Sequence, residues 1–226
     1  MNIKIFQINN DRDEKNLKFV NFERTVEYQK SEKINAKLYD EVFWGDVDAE
    51  NLEDIFTKFN TESHPLHRGH SLSVSDIVKT DEGVFFCDSV GFKEVEFDES
   101  LTQKPDNLMK IVYVEPNRKP FVSEVEHKLD AEQKAVKGYI EVIYIGDNDV
   151  CLVGNEEAKL MGMEGNRRIG ESTIIAGPFF AVGLTEDDFR SLTDAEVEKY
   201  MEYFKEPHQI SQDEVNSDMG CTFYSF

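Results

Sequence analysis

Positive charge, cysteine and long apolar runs are all scarce in this 226-residue chain, and each shortage excludes something. Lysine and arginine total 25 against 46 aspartates and glutamates, which leaves a formal net charge of −21 at pH 7. A surface that negative repels phosphate backbones, so direct nucleic-acid binding is not expected. The three cysteines, Cys87, Cys151 and Cys221, are odd in number and form no C-x-x-C pair. That argues against a disulfide framework and a thiolate metal knuckle, and for a reduced, cytoplasmic setting. No stretch is apolar for long enough to span a bilayer, and Met1-Asn2-Ile3-Lys4-Ile5-Phe6 opens no apolar core of signal-peptide length, so neither membrane nor export is expected. No G-x-S-x-G, Walker lysine or G-x-G-x-x-G fingerprint occurs; no reaction is legible and no cofactor is expected.

What is present is material for a core. Seventeen phenylalanines and 12% aromatic residues are far more than an acidic disordered tail carries. The length suits two small domains. A polar stretch at residues 98–107, DESLTQKPDN, separates them, and the charge divides almost evenly, −10 over residues 1–106 and −11 over 107–226. We therefore expect an α+β protein of two small domains, each a mostly antiparallel sheet with one or two packed helices: 1–98, a linker at 99–107, 108–206, and a tail at 207–226 whose last residues resemble an edge strand.

In the first half, residues 3–8 alternate like a strand, 17–22 and 36–44 read as further strands, and 72–78 and 84–88 are strand candidates that form a hairpin. Asp48 is the expected cap of a helix to about residue 60, with Leu52, Ile55, Phe56 and Phe59 as its buried stripe. In the second half, strands are expected over 109–114, 121–125, 139–145 and 150–153, with one bulged strand over 173–182 broken at Gly177-Pro178. Asp130 and Gln133 suggest a capping box for a helix ending at Gly138. The clearest helix is the last: Thr193 and Glu196 form a box, Leu192 and Val197 a hydrophobic staple, and Val197, Tyr200, Met201 and Phe204 a stripe before Pro207.

Four constellations carry some chemical potential. His64, His67 and His70 stand at H-x₂-H-x₂-H spacing, a possible zinc set with Asp76, but Pro65 and Arg68 disrupt it, and a solvated loop is the plainer reading; no metal is expected. His70, Ser71, Ser73, Ser75 and Asp76 invite a Ser-His-Asp reading, yet on one short strand Ser73 and Ser75 share a face that Asp76 does not, so capping is expected instead. Arg167 and Arg168, with Asn155 and Asn166, are the best anion-binding candidates, weighed against pairing of either arginine with Glu156 or Glu157. Finally, Asp46, Asp48, Glu50, Glu53, Asp54, Glu94, Glu96, Asp98, Glu186, Asp187 and Asp188 cluster as an acidic relief in both halves, which either keeps the protein soluble or imitates a polyanion.

Two resemblances organise these residues. Leu52-Glu53-Asp54-Ile55-Phe56 with Phe59-Asn60, the string from Arg68-Gly69-His70-Ser71 through Leu72-Ser73-Val74-Ser75-Asp76-Ile77-Val78, and Asp88-Ser89-Val90-Gly91-Phe92 resemble a YodL-like domain over most of residues 1–98. Glu115-Pro116, Lys119-Pro120, Gly138-Tyr139-Ile140-Glu141, Asn155 to Leu160 and Asn166-Arg167 resemble a second, uncharacterised domain family of mobile elements over about 108–204. Resemblance to families that recur in conjugative elements, plasmids and phages implies an accessory protein of a mobile genetic element, with no catalytic residue to carry over. The expected partner is a host protein such as a nuclease or restriction complex, bound by charge imitation. The alternatives are a module for an anionic nucleotide-like ligand at Arg167 and Arg168, and a scaffold in which residues 84–86 or 222–226 pair with another chain.

Overall fold

The computed structural model describes residues 1–62, 64–146, 149–170 and 173–219, and the chain divides into two compact units, Met1–Asp106 and Asn107–Phe226. Both are mostly antiparallel sheets with packed helices, the α+β class expected from the pattern.

In the first unit β1 (Asn2–Ile8) lies between β2 (Tyr39–Asp46) and β3 (Ile77–Thr80), and β4 (Gly83–Cys87) and β5 (Phe92–Glu94) continue the sheet. Alternation along β1 supplies both faces. Phe6 and Ile8 join Tyr39, Ile77 and Phe86 in one cluster, against which α1 (Phe22–Gln29) places Phe22. Ile5 pairs with Phe43 on the opposite face, where α2 (Leu52–Thr61) brings Phe59 to 5.0 Å from the Phe43 ring. The unit is thus a sheet with a helix on each side.

Several expectations are corrected here. Residues 17–22 are not a strand: both Asp13 carboxylate oxygens accept backbone N–H groups, from Leu17 at 2.8 Å and Lys18 at 2.9 Å, Phe19 is left-handed at φ 66°, and Asn21 caps α1. Residues 36–38 form a 3₁₀ turn before β2 begins. The α2 cap is Asn51, not Asp48, and Phe56 leaves the stripe to face Phe92, remaining 36% exposed. The strand expected over 72–78 starts only at Ile77, because Ser75 is left-handed at φ 78° and Asp76 accepts the Ser73 N–H at 2.8 Å. Residues 84–86 offer no free edge; β4 is hydrogen-bonded to β3 and β5. Residues 99–103, expected in a linker, belong to this unit: Glu99–Leu101 is a 3₁₀ turn and Gln103 exchanges backbone hydrogen bonds with β2.

The second unit orders β6 (Leu108–Val114), β7 (Phe121–Glu126), β8 (Ile140–Tyr144), β9 (Val150–Asn155) and, after the separate hairpin of β10 (Gly165–Ile169) and β11 (Thr173–Ala176), β12 (Phe179–Leu184) and β13 (Phe189–Arg190). The main sheet runs β7-β6-β12-β9-β8, with β13 on β12. α3 (Leu129–Val136) covers one face, where the Tyr113 hydroxyl donates to the Ala135 carbonyl at 2.7 Å. On the other, α4 (Asp194–Tyr203) packs Tyr200, with Phe204 just beyond it, on Val112, Leu152 and Phe179. β8 is an edge strand, and Tyr139, Val142 and Tyr144 are exposed along it.

Three expectations change here too. The strand expected over 173–182 is two strands in two sheets, divided where Gly177 takes φ 69° and a Cβ would stand 2.6 Å from the Met163 sulfur. Asp130 lies inside the first turn of α3 rather than capping it; Lys128 holds the cap position without a side-chain bond. Part of the expected tail is α5 (Gln212–Asp218), closed by a Ser211–Glu214 capping box and seated through buried Val215 against Ile174 and Ala176. Residues 222–226, named above as an edge strand, lie outside the described residues, as does Cys221.

α4 forms as its sequence dictates. Thr193 accepts the Glu196 N–H, the Glu196 carboxylate accepts the Thr193 N–H at 2.7 Å, and Arg190 grips the same carboxylate through both terminal nitrogens at 2.8 Å. The Arg190 bond leads the causes that pull the Glu196 pKa down to about 2. Removing the cap in Thr193→Ala is expected to lower the unfolding free energy by about 1 kcal/mol, read from urea titrations of the two proteins.

Candidate functional site

The histidine-rich string of the first unit is organised by Gln7, which β1 directs into the loop ahead of β3. Its carbonyl oxygen accepts the His70 N–H at 2.9 Å, and its amide donates to the His70 carbonyl at 2.8 Å and to Asp76 Oδ2 at 2.9 Å. A Cβ on Gly69 would stand 2.0 Å from the Gln7 oxygen, so only glycine lets the loop approach this closely. Asp76 is fully buried, and burial raises its pKa to about 8 against the pull of the Ser73 N–H and Gln7. Its second oxygen, Oδ1, is buried with no hydrogen-bond partner among the described residues.

His70 Nδ1 lies 2.7 Å from the Ser71 carbonyl, which accepts its proton and fixes the tautomer, and 3.9 Å from Asp76 Oδ2. Burial holds the imidazole below its ordinary pKa. Among the described residues no serine hydroxyl is hydrogen-bonded to His70: Ser73 Oγ donates to the Ser71 carbonyl at 3.0 Å and Ser75 Oγ accepts the Phe19 N–H at 2.9 Å. Burial favours the protonated form of Asp76, and the cluster positions a loop; no described serine hydroxyl reaches His70.

His64 and His67 do not converge with His70. They pack on aromatic rings, His64 at 4.7 Å from Phe43 and His67 at 5.1 Å from Phe59. Among the described residues no group of three or more His, Cys, Asp or Glu side chains is placed to hold a metal ion. Burial pushes the Cys87 thiol far up and Cys151 to about 11, so neither is a nucleophile at neutral pH.

In the second unit the structure brings Asn166 and Arg167 together but turns both inward. Arg167 is 1% exposed, and its five N–H directions are spent on oxygens: the Phe204 carbonyl from Nε at 3.3 Å and Nη2 at 2.9 Å, the Asn166 carbonyl and Oδ1 from Nη1 at 3.1 and 2.8 Å, and the Arg118 carbonyl from Nη2 at 2.7 Å. Asn166 donates to the carbonyls of Val114 and Gly177. Asn155 lies apart, donating to the Val136 and Lys137 carbonyls at the end of α3 and accepting the Glu157 N–H. The expectation of an anion site on Arg167, Asn155 and Asn166 is therefore corrected: their polar groups already satisfy buried backbone. Arg168 is at the surface, paired with Glu214 rather than with Glu156 or Glu157.

The acidic residues stay outside. Asp48, Glu50, Glu53 and Asp54 are exposed around the start of α2, Glu94 and Glu96 on and just after β5, and Glu186, Asp187 and Asp188 at the turn between β12 and β13. Asp46 is 3.5 Å from the terminal ammonium, Asp188 pairs with His127 at 2.9 Å, and Asp98 caps the following 3₁₀ turn by accepting the Ser100 N–H and hydroxyl; none of the other eight makes an ion pair among the described residues. Nearby Lys58 gives its ammonium to the Asp48 backbone carbonyl at 3.2 Å instead of to a carboxylate. No sequence signal distinguishes these from paired acids; only placement does.

No described helix is long and apolar enough to cross a membrane. Neither a curated protein nor a solved structure matches the chain. Family comparison finds the YodL-like domain at residues 2–97 and, at 109–205, a domain of unknown function, DUF3846. The chain thus joins a YodL-like domain to a domain of unknown function, in the order that the two resemblances implied.

Proposed function

We propose that this protein is a non-enzymatic accessory protein of a mobile genetic element that binds a host defence protein by presenting carboxylates where that protein expects phosphates. The observation that carries the reading is the set of exposed, unpaired carboxylates at Asp48, Glu50, Glu53 and Asp54, joined by Glu186 and Asp187 in the other unit. Unpaired surface charge projects a field that ion pairs would quench, and such a field steers association with a basic groove. The inward turn of Arg167 takes away the anion site expected there and so favours the interaction reading.

The test immobilises the protein in host lysate at low and high salt and challenges the bound fraction with duplex DNA. A partner released by salt and by duplex DNA, and not retained by the charge-reversed Asp48→Lys, Glu50→Lys, Glu53→Lys variant, is the expected result, with affinity falling about 10³-fold or more between roughly 50 and 200 mM salt. A partner held equally at both salt concentrations, or indifferent to DNA, overturns the reading.

A further inference from the structure

One border of the main sheet in the second unit is β8, which among the described residues is hydrogen-bonded to β9 alone. The N–H and C=O groups on its far side are what a further strand needs. The border also shows apolar surface: Val142 is 38% and Tyr144 72% exposed, and Tyr139 just ahead of the strand is exposed as well. Leu160 and Met161 are exposed in the turn after β9, which is tied to the start of β8 by the Glu156 N–H donating to the Tyr139 carbonyl at 2.9 Å. Glu141 is the one charged residue of β8.

α5 ends beside this border. Asp218, its last residue, accepts the Lys159 ammonium at 2.6 Å and the Ile174 N–H at 3.0 Å. Both partners lead to β8. Lys159 acts on Glu141, working against the burial that raises the Glu141 pKa. Next to Ile174, the Ile175 Cγ2 would stand 4.0 Å from a Cβ on Gly154, and Ile143 Cδ1 of β8 would stand 3.6 Å from the same point. Gly154 is the β9 partner of Glu141. α5 therefore ends level with the first half of β8, on the face that carries Glu141 and Ile143.

Residues 220–226, Gly-Cys-Thr-Phe-Tyr-Ser-Phe, come next in the sequence and lie outside the described residues. In a chain that is 31% charged they carry no charge and no proline, but three aromatic rings and a β-branched threonine, which is strand composition. The run at 173–185, likewise uncharged, supplies β11 and β12. Seven extended residues reach about 23 Å, against roughly 17 Å for the five of β8, so the segment is long enough to line the whole border.

We propose that residues 221–226 add to the outer border of β8 as a strand running parallel to it, so that the segment after α5 is the occupant of this edge. The direction follows from the starting point: leaving α5 level with Glu141, the segment meets Val142 and then Tyr144. A strand from another copy would compete for the same border. The inference is independent of the partner-binding reading, since none of the acidic residues assigned there lies on β8.

Hydrogen exchange of the isotopically labelled full chain reads the border directly. In the parent, the β8 amides that do not bond β9 are expected to exchange at least about tenfold more slowly than in Phe223→Pro or Tyr224→Pro, whichever of the two removes the N–H facing β8. Both substitutions fall after α5, so the described fold is retained. A nitroxide on Cys221, selective because Cys87 and Cys151 are buried, should broaden the signals of β8 more than those of β7 at the opposite edge of the sheet. Equal exchange of those amides in all three proteins, broadening that does not favour β8, or protection that sets in only as protein concentration rises, the mark of a second copy, overturns the proposal.

Discussion

Replacing Arg167 by methionine is expected to destabilise the second unit by about 3 kcal/mol or more, the largest effect of any single side chain described above. Methionine fills much of the volume but leaves the carbonyls of Phe204, Asn166 and Arg118 buried beside an apolar chain. An unsatisfied buried acceptor costs about 1–3 kcal/mol, and here several lose their donor together. Arg167→Lys should recover only a fraction, because an ammonium has three donors and no planar fork. Arg168→Met removes an exposed pair with Glu214 and should change stability by less than about 1 kcal/mol. Urea unfolding of the three variants reads all of this; an Arg167→Met protein within about 0.5 kcal/mol of the parent would refute the buried network as a structural staple.

A second large effect is expected from pH. The Asp76 carboxyl titrates near 8 in the folded chain, against an ordinary value of 3.8. Raising an acid's folded pKa means that the folded state binds the proton more tightly, so stability falls as pH climbs through that window. Between pH 5 and 8 the loss is of the order of 3 kcal/mol from this group alone. Asp76→Asn retains an oxygen for the Ser73 N–H and the Gln7 amide but cannot ionise, so its stability should lie above the parent's at pH 8 and vary less across the window. The measurement is the difference in the two proteins' pH slopes, which cancels the contribution of the other 45 acidic residues. Parallel slopes would sink the assignment.

How much of this was legible beforehand depended on how local its causes were. The residues of the α4 capping box lie within a few positions of one another, and the structure contains the box, with Leu192 and Val197 in or against one hydrophobic cluster. The β3–β4 and β8–β9 hairpins likewise follow from adjacent alternation and turn residues. Residues 17–22 carry the apolar content of a strand, while the Asp13 carboxylate and the left-handed Phe19 that prevent one act across the loop. The Ser211–Glu214 box is as local as the α4 box but lies among polar neighbours, with Val215 as the one apolar signal of its helix.

The candidate sites were legible by residue type and illegible by direction. Glycine next to paired arginines is the same string whether a guanidinium faces solvent or the carbonyls of residues 118 and 204.

The outer border of β8 has a consequence of its own. A strand that exposes Val142 and Tyr144 and pairs on one side only among the described residues is a template on which other molecules stack. Mutual repulsion between copies carrying −21 each keeps them dispersed in neutral, dilute electrolyte. Near the isoelectric pH of about 4.6 that repulsion vanishes, and the border becomes the seam along which the protein would clump.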